Sequence, residues 1–128
     1  MGERLEYIRN KVKKLIEDNN ITEVVMEDIQ LQNNVVNNVQ TFKKLAEVFG
    51  VISELLTEMK IPQTAVLASS WKHTLGIKGS TRPVQKRNAQ LFVKIKHNIN
   101  PTQDECDAIC IGTHYTINNS NDGFDWAE

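Results

Sequence analysis

The chain has 128 residues and carries 15 Lys and Arg against 16 Asp and Glu, a formal net charge of -1 at pH 7. That length suits one compact domain, and a hydrophobic content of 40% argues against disorder. No apolar run approaches the ~20 residues needed to span a bilayer, and the N-terminus lacks the apolar centre of a signal peptide, so no membrane partner and a cytoplasmic location are expected.

Residues 3 to 19 predict a helix, because Leu5, Ile8, Val12, Leu15 and Ile16 recur at helical spacing with Lys and Glu between them. Asp18-Asn19-Asn20 stops it. Residues 22 to 29 read as a strand with Val24-Val25-Met26 as its buried centre. Asn33-Asn34 and Asn37-Asn38 read as a polar loop or a frayed helix start. A long helix is expected from about 38 to 60. Val39, Phe42, Ala46, Phe49, Ile52, Leu56 and Met59 form one apolar stripe on it, and Val48, Val51 and Leu55 form a second. Either the protein's own core covers both stripes, or a partner subunit covers one of them.

Pro62 ends that helix, and Thr64 to Ala68 read as a second buried strand. Ser69 or Ser70 is suited to cap a short helix bearing Trp71, Lys72 and His73. Gly76 to Arg82 read as a loop, and 83 to 97 as a helix with Leu91, Phe92 and Ile95 on its core face. Thr102 and Glu105 fit a capping box opening a last helix that runs to about 117, followed by a polar tail over 118–128. Cys106 and Cys110 are four apart on that helix, which suits buried reduced thiols better than a disulfide or zinc site. The order helix, strand, helix, strand, helices is that of an α/β fold with an open sheet. Two strands are too few for such a sheet alone, so further strands are expected from another chain or from a preceding segment.

Charge is unevenly distributed. From Met59 to Gln103 there is no Asp or Glu, while Lys60, Lys72, Lys78, Arg82, Lys86, Arg87, Lys94 and Lys96 all fall there. Acidic clusters flank this stretch at Glu27-Asp28 and at Asp104-Glu105-Cys106-Asp107. A carboxylate at a strand end lies where open α/β sheets bind ligands. Asp104 and Asp107, three apart on a helix, lie near one another. Carboxylates in a first helical turn also have a purely structural use, because they complement the helix dipole. Together with a basic surface, however, the three match what metal-assisted cleavage of a polyanion requires. Asp28, His73 and His114 are weaker candidates, better read as surface or core residues, and Trp71 is better read as a packing anchor than as a base-stacking platform.

Four stretches, in order, resemble the RuvC-type Holliday-junction resolvases of the RNase H-like nucleases, particularly of the phage kind. These are Val24-Val25-Met26-Glu27, Ala68-Ser69-Ser70-Trp71-Lys72, Gly76-Ile77-Lys78-Gly79 with Lys86-Arg87-Asn88-Ala89-Gln90, and Asp104-Glu105-Cys106-Asp107-Ala108. The resemblance covers roughly residues 1 to 117. It implies an RNase H-like fold and a Mg²⁺-dependent (or Mn²⁺-dependent) endonuclease with two ions per site, cutting four-way or other branched DNA. Glu27, Asp104 and Asp107 would be catalytic metal ligands. Lys72, Lys78, Arg82, Lys86 and Arg87 would contact DNA. Phe42, Phe49, Ile52 and Leu56 would form a homodimer interface, and a phage-encoded member would act in the host bacterial cytoplasm.

The resemblance also defines departures. The family's first three strands, the first ending in a catalytic Asp, have no counterpart, so the fold is expected to be N-terminally incomplete. Gln30 and Leu31 stand where bacterial members carry an aromatic wedge. The alternatives are a truncated, non-catalytic subunit that binds branched DNA or supports dimerisation, and another RNase H-like nuclease.

Overall fold

A computed structural model describes residues 2–29 and 36–127, and the side chains of all but 36–38 and 120–127 among them. The expectations for Gln30, Leu31 and the Asn33-Asn34 loop lie outside the described residues. The chain divides into two compact units, residues 1–24 with 28–64, and residues 25–27 with 65–128.

In the first unit, helix α1 (Gly2–Asp18) packs against helix α2 (Val36–Glu58). The helical spacing read from Leu5, Ile8, Val12 and Ile16 puts these residues on the covered side of α1, and Ile16 is buried. Leu15 departs from that reading and is 60% exposed. Ion pairs line the α1–α2 contact: Arg4 with Glu47 at 3.5 Å, and Arg9 with both Glu54 and Glu58. The two carboxylates hold the Arg9 guanidinium above its ordinary value, the hydrogen bond to Glu54 being the larger cause. Such exposed pairs orient helices more than they stabilise them. Both helices end in left-handed residues, Asn20 after α1 and Lys60 after α2. These turns let the amide of Ile21 reach the carbonyl of Ile16, and that of Ile61 reach Leu56, closing helix carbonyls otherwise left unpaired.

Both apolar stripes of α2 are partly covered within the chain. Leu55 and Leu56 have no exposed surface. Phe42, Phe49 and Ile52 are half-buried, and Leu45 and Val39 remain exposed. Leu56 is thus already enclosed, and the open apolar surface of α2 lies toward its N-terminal half.

Strand β1 (Val24–Glu27) pairs in parallel with β2 (Gln63–Val66) in a two-stranded sheet. Both strands are shorter than their apolar runs suggest, and Val24, Val25 and Met26 are half-buried rather than buried. A parallel pair needs a crossover, and α2 supplies it.

The second unit holds α3 (Ala68–Thr74), α4 (Arg82–His97) and α5 (Gln103–Ala127). Its core gathers Val66, Trp71, Ile77, Ala89, Val93, Cys106, Cys110 and Ile111. Three local expectations change here. The cap of α3 is Leu67, with no side-chain cap bond, so neither Ser69 nor Ser70 caps it. The core face of α4 is Ala89 and Val93 with Phe92 packed beside them, as expected for Phe92 but not for Leu91 and Ile95, which are 54% and 75% exposed. Position 91 lies two residues from each buried position, about 200° round the helix. The small Ala89 is buried in the core cluster, a placement that the aliphatic pattern does not reveal. Finally, α5 continues past residue 117 as far as Ala127. The capping box is present: the Glu105 amide donates to Thr102 Oγ1 at 3.3 Å, and the Thr102 amide donates to Glu105 Oε1 at 2.9 Å. No helix among the described residues is long and apolar enough to cross a membrane.

Candidate functional site

The second unit carries a polar pocket of about 110 Å³. β1 delivers Glu27 at its last residue, α3 delivers Trp71 and Lys72, α4 delivers Arg82, Gln85 and Lys86, and α5 delivers Gln103 and Asp107. Each contribution has a local cause. Thr81 caps α4 by accepting from the Val84 amide at 3.4 Å, which starts the helix at Arg82. Arg82 and Lys86 are four apart and share a face. Arg87 is one residue further, about 100° round, and does not line the pocket.

The loop before α4 is strapped to it by side chains. Gln85 Nε2 donates to the Gly79 carbonyl at 3.0 Å, and Asn88 Nδ2 donates to the Lys78 carbonyl. Gly79 allows this close approach: a Cβ there would meet Val84 Cγ1 at 2.8 Å and the Gln85 amide nitrogen at 2.9 Å. Gln85 then accepts from Lys72 Nζ at 3.3 Å, so the loop, α3 and α4 are tied together at the pocket.

The two carboxylates each take a hydrogen bond from an uncharged donor. Trp71 Nε1 donates to Glu27 Oε1 at 3.3 Å. Gln103 Nε2 donates to Asp107 Oδ1 at 3.1 Å. Burial pushes the Asp107 carboxyl above the ordinary carboxylate range, with Asp104 adding to the rise; the Gln103 hydrogen bond and the Lys72 and Lys86 charges oppose it. A raised folded value means that the folded protein holds its proton over a pH window where the unfolded chain has lost it. Stability from this group is therefore full below the ordinary Asp value and falls as pH rises through the folded one. Asp107→Asn should accordingly raise the melting temperature at pH 7, and the gain should vanish toward pH ~3, where the carboxyl is neutral in both states. Thermal unfolding of both proteins across pH checks this, and a gain independent of pH would refute it.

The structure brings together five of the residues picked out in the sequence: Glu27, Asp107, Lys72, Arg82 and Lys86. It leaves the others apart. Asp104 is exposed and outside the pocket lining, although close enough to Asp107 to affect its charge. Lys78 lines a separate groove beside Leu91 and Ile95. Asp28, His73 and His114 are not in the pocket lining, and His114 is buried within α5 with Nε2 3.2 Å from Asn118 Nδ2. Cys106 and Cys110 are buried free thiols, and burial pushes Cys110 up to about 12, so both are neutral packing residues. Among the described residues, no group of three or more His, Cys, Asp or Glu is placed to hold a metal ion. The expected trio of Glu27, Asp104 and Asp107 is therefore present as a converging pair with a third carboxylate to one side. Gln85, Gln103 and the indole N–H of Trp71 are site groups that the sequence did not flag. Gln103 alone had a legible signal, its spacing of four from Asp107.

No family model and no curated protein matches the sequence. Among solved structures the chain is similar to the Thermus thermophilus RuvC structure, with a TM-score of 0.66 and 18% sequence identity, over 91% of this chain and 70% of that one. At that identity the likeness is one of fold: the chain has a RuvC-like fold, mostly helical with a small parallel sheet.

Proposed function

We propose that this chain is an RNase H-like nuclease subunit of the RuvC type, cutting phosphodiesters in four-way or other branched DNA. One observation carries the reading: Glu27 and Asp107 share a pocket with Lys72, Arg82 and Lys86. Three cations suit a phosphate, and a carboxylate beside them suits proton transfer from an attacking water. In this reading Lys72, Arg82 and Lys86 hold the scissile phosphate, and Glu27 accepts the water proton. Lys78 and Arg87 lie outside the pocket and engage phosphates of the flanking arms. A homodimer through α2, with the half-buried Phe42, Phe49 and Ile52 at its interface, would carry two such pockets, one for each of two strands.

Mg²⁺ dependence belongs to the same proposal, but the pair of carboxylates in the pocket does not by itself make a divalent-ion site. Mg²⁺ takes six oxygen ligands, commonly one or two carboxylates completed by phosphate oxygens and waters, so Glu27 and Asp107 would hold it only with a substrate phosphate in place, and Asp104 stands outside the lining. That shortfall also supports a second reading, a branched-DNA-binding subunit without its own cleavage activity.

A panel of four-way junctions, flaps, plain duplexes and RNA–DNA hybrids, incubated with and without Mg²⁺, separates these readings. Cleavage of junctions with Mg²⁺ is the expected result. Preference for the hybrid would overturn the resolvase assignment, and tight junction binding without cleavage under any condition would favour the non-catalytic subunit.

A further inference from the structure

Trp71 is 2% exposed, the largest fully buried side chain of the described protein, and its neighbours explain more than packing. An indole carries one N–H, which donates and never accepts, and burial without a partner would be costly. That N–H points to Glu27 Oε1 at 3.3 Å. The ring face serves a second group: Lys72 Nζ lies 5.5 Å from its centroid, within the range of a cation–π attraction. Glu27 and Lys72 thus meet different parts of one rigid, buried ring, the acid at the ring edge and the base over the ring. Lys72 is steadied further by Gln85 Oε1.

We infer that Trp71 is a positioning residue, which sets the Glu27 carboxylate and the Lys72 ammonium in register within the pocket. It acts through Glu27 and Lys72, holding both where the pocket needs them. Its N–H occupies one oxygen of Glu27 with an uncharged donor and so orients the carboxylate without neutralising it. Its face attracts the ammonium without pairing it to a counter-charge, in addition to the attraction that Lys72 feels from Asp107. Both groups hang on flexible stems, Glu27 at a strand end and Lys72 on a seven-residue helix, and each would otherwise sample many rotamers. The role in catalysis rests on the nuclease reading above; the hydrogen bond to Glu27 does not.

Two substitutions separate the two functions of the ring. Trp71→Phe keeps an aromatic face for Lys72 and removes the N–H. Trp71→Leu removes both. The direct measurement is the indole ¹H–¹⁵N resonance of Trp71, identified by its loss in Trp71→Phe. In the wild type it should exchange slowly with solvent, and it should move clearly in Glu27→Ala, whose side chain offers no acceptor. A resonance unmoved by Glu27→Ala overturns the inference, whether or not the protein cleaves DNA. On junction cleavage, Trp71→Phe should lower kcat roughly ten-fold or more, the equivalent of one hydrogen bond to a charged group, with junction affinity unchanged. Trp71→Leu should lose more and should also weaken junction binding, because Lys72 is freed. Equal kcat for Trp71→Phe and wild type would make Trp71 a packing residue only. Should Trp71→Phe fail to fold, the Trp71 resonance is identified as the one that survives in Trp126→Phe, and the Glu27→Ala experiment on the native indole decides the matter.

Discussion

Replacing Glu27 by Gln should reduce junction cleavage by at least about 100-fold and leave junction binding intact. The magnitude is that of removing a positioned general base. Gln keeps the volume of the side chain and an oxygen able to accept from Trp71 Nε1, so the local packing, and with it Lys72, stays in place. Only the proton acceptor is lost. Removing a negative charge beside three cations cannot weaken their hold on phosphate, so affinity should hold or rise slightly. Single-turnover cleavage and equilibrium binding to the same four-way junction check the two halves together. A Glu27→Gln protein that cuts at the wild-type rate would show that Glu27 has no catalytic part. One that loses binding along with cleavage would show that the carboxylate is structural. Asp104, exposed beside the pocket, provides the contrast: Asp104→Asn should cost less than Glu27→Gln, and an equal loss would mean that all three carboxylates act together during turnover.

Replacing Lys86 and Arg87 together by Ala should weaken binding to every DNA structure alike and make the salt dependence shallower. If Lys72, Lys78, Arg82, Lys86 and Arg87 neutralise ~5 phosphates, the log–log slope on duplex arms should be roughly -4 to -5. Two contacts fewer reduce its magnitude by about 2. The structure adds a distinction between the two residues. Lys86 lines the pocket and Arg87 does not. Both single substitutions should therefore flatten the slope by about 1, but only Lys86→Ala should also reduce the rate from bound substrate. Titrations at several salt concentrations, with single-turnover rates at saturating enzyme, separate binding from chemistry. An unchanged slope in the double variant would make this a solvated face, with DNA contacts lying elsewhere.

Much of the helical framework was legible because its causes are local. The 3.6-residue periodicity of Leu5, Ile8, Val12 and Ile16 depends on the helix alone, and so does the reciprocal capping of Thr102 and Glu105. Pro62 and Pro83 mark boundaries for the same reason. The segregation of charge was equally legible, since a stretch without any acid from Met59 to Gln103 is a property of the chain and not of its fold. The candidate acids and bases Glu27, Lys72, Arg82, Lys86 and Asp107 were read by type and order along the chain.

What the sequence left undecided concerns rotation about helix axes and distances between segments remote in the chain. Leu91 and Ile95 are apolar, but α4 turns Ala89 and Val93 inward with Phe92 beside them, a rotation about the helix axis that apolar character alone does not fix. Arg82 and Lys86 enter the pocket while the adjacent Arg87 does not, a difference of 100° that only the docked helix settles. Asp104 and Asp107 are equivalent by spacing, and yet one is exposed and the other is half-buried beside Gln103. Trp71 carries no local sign that its N–H meets a carboxylate 44 positions earlier in the chain. Local sequence sets which groups are available and on which elements they ride. Tertiary packing alone decides which of them converge, because convergence depends on how far each element is turned and how closely it approaches, and those are settled by the volumes of the side chains between them.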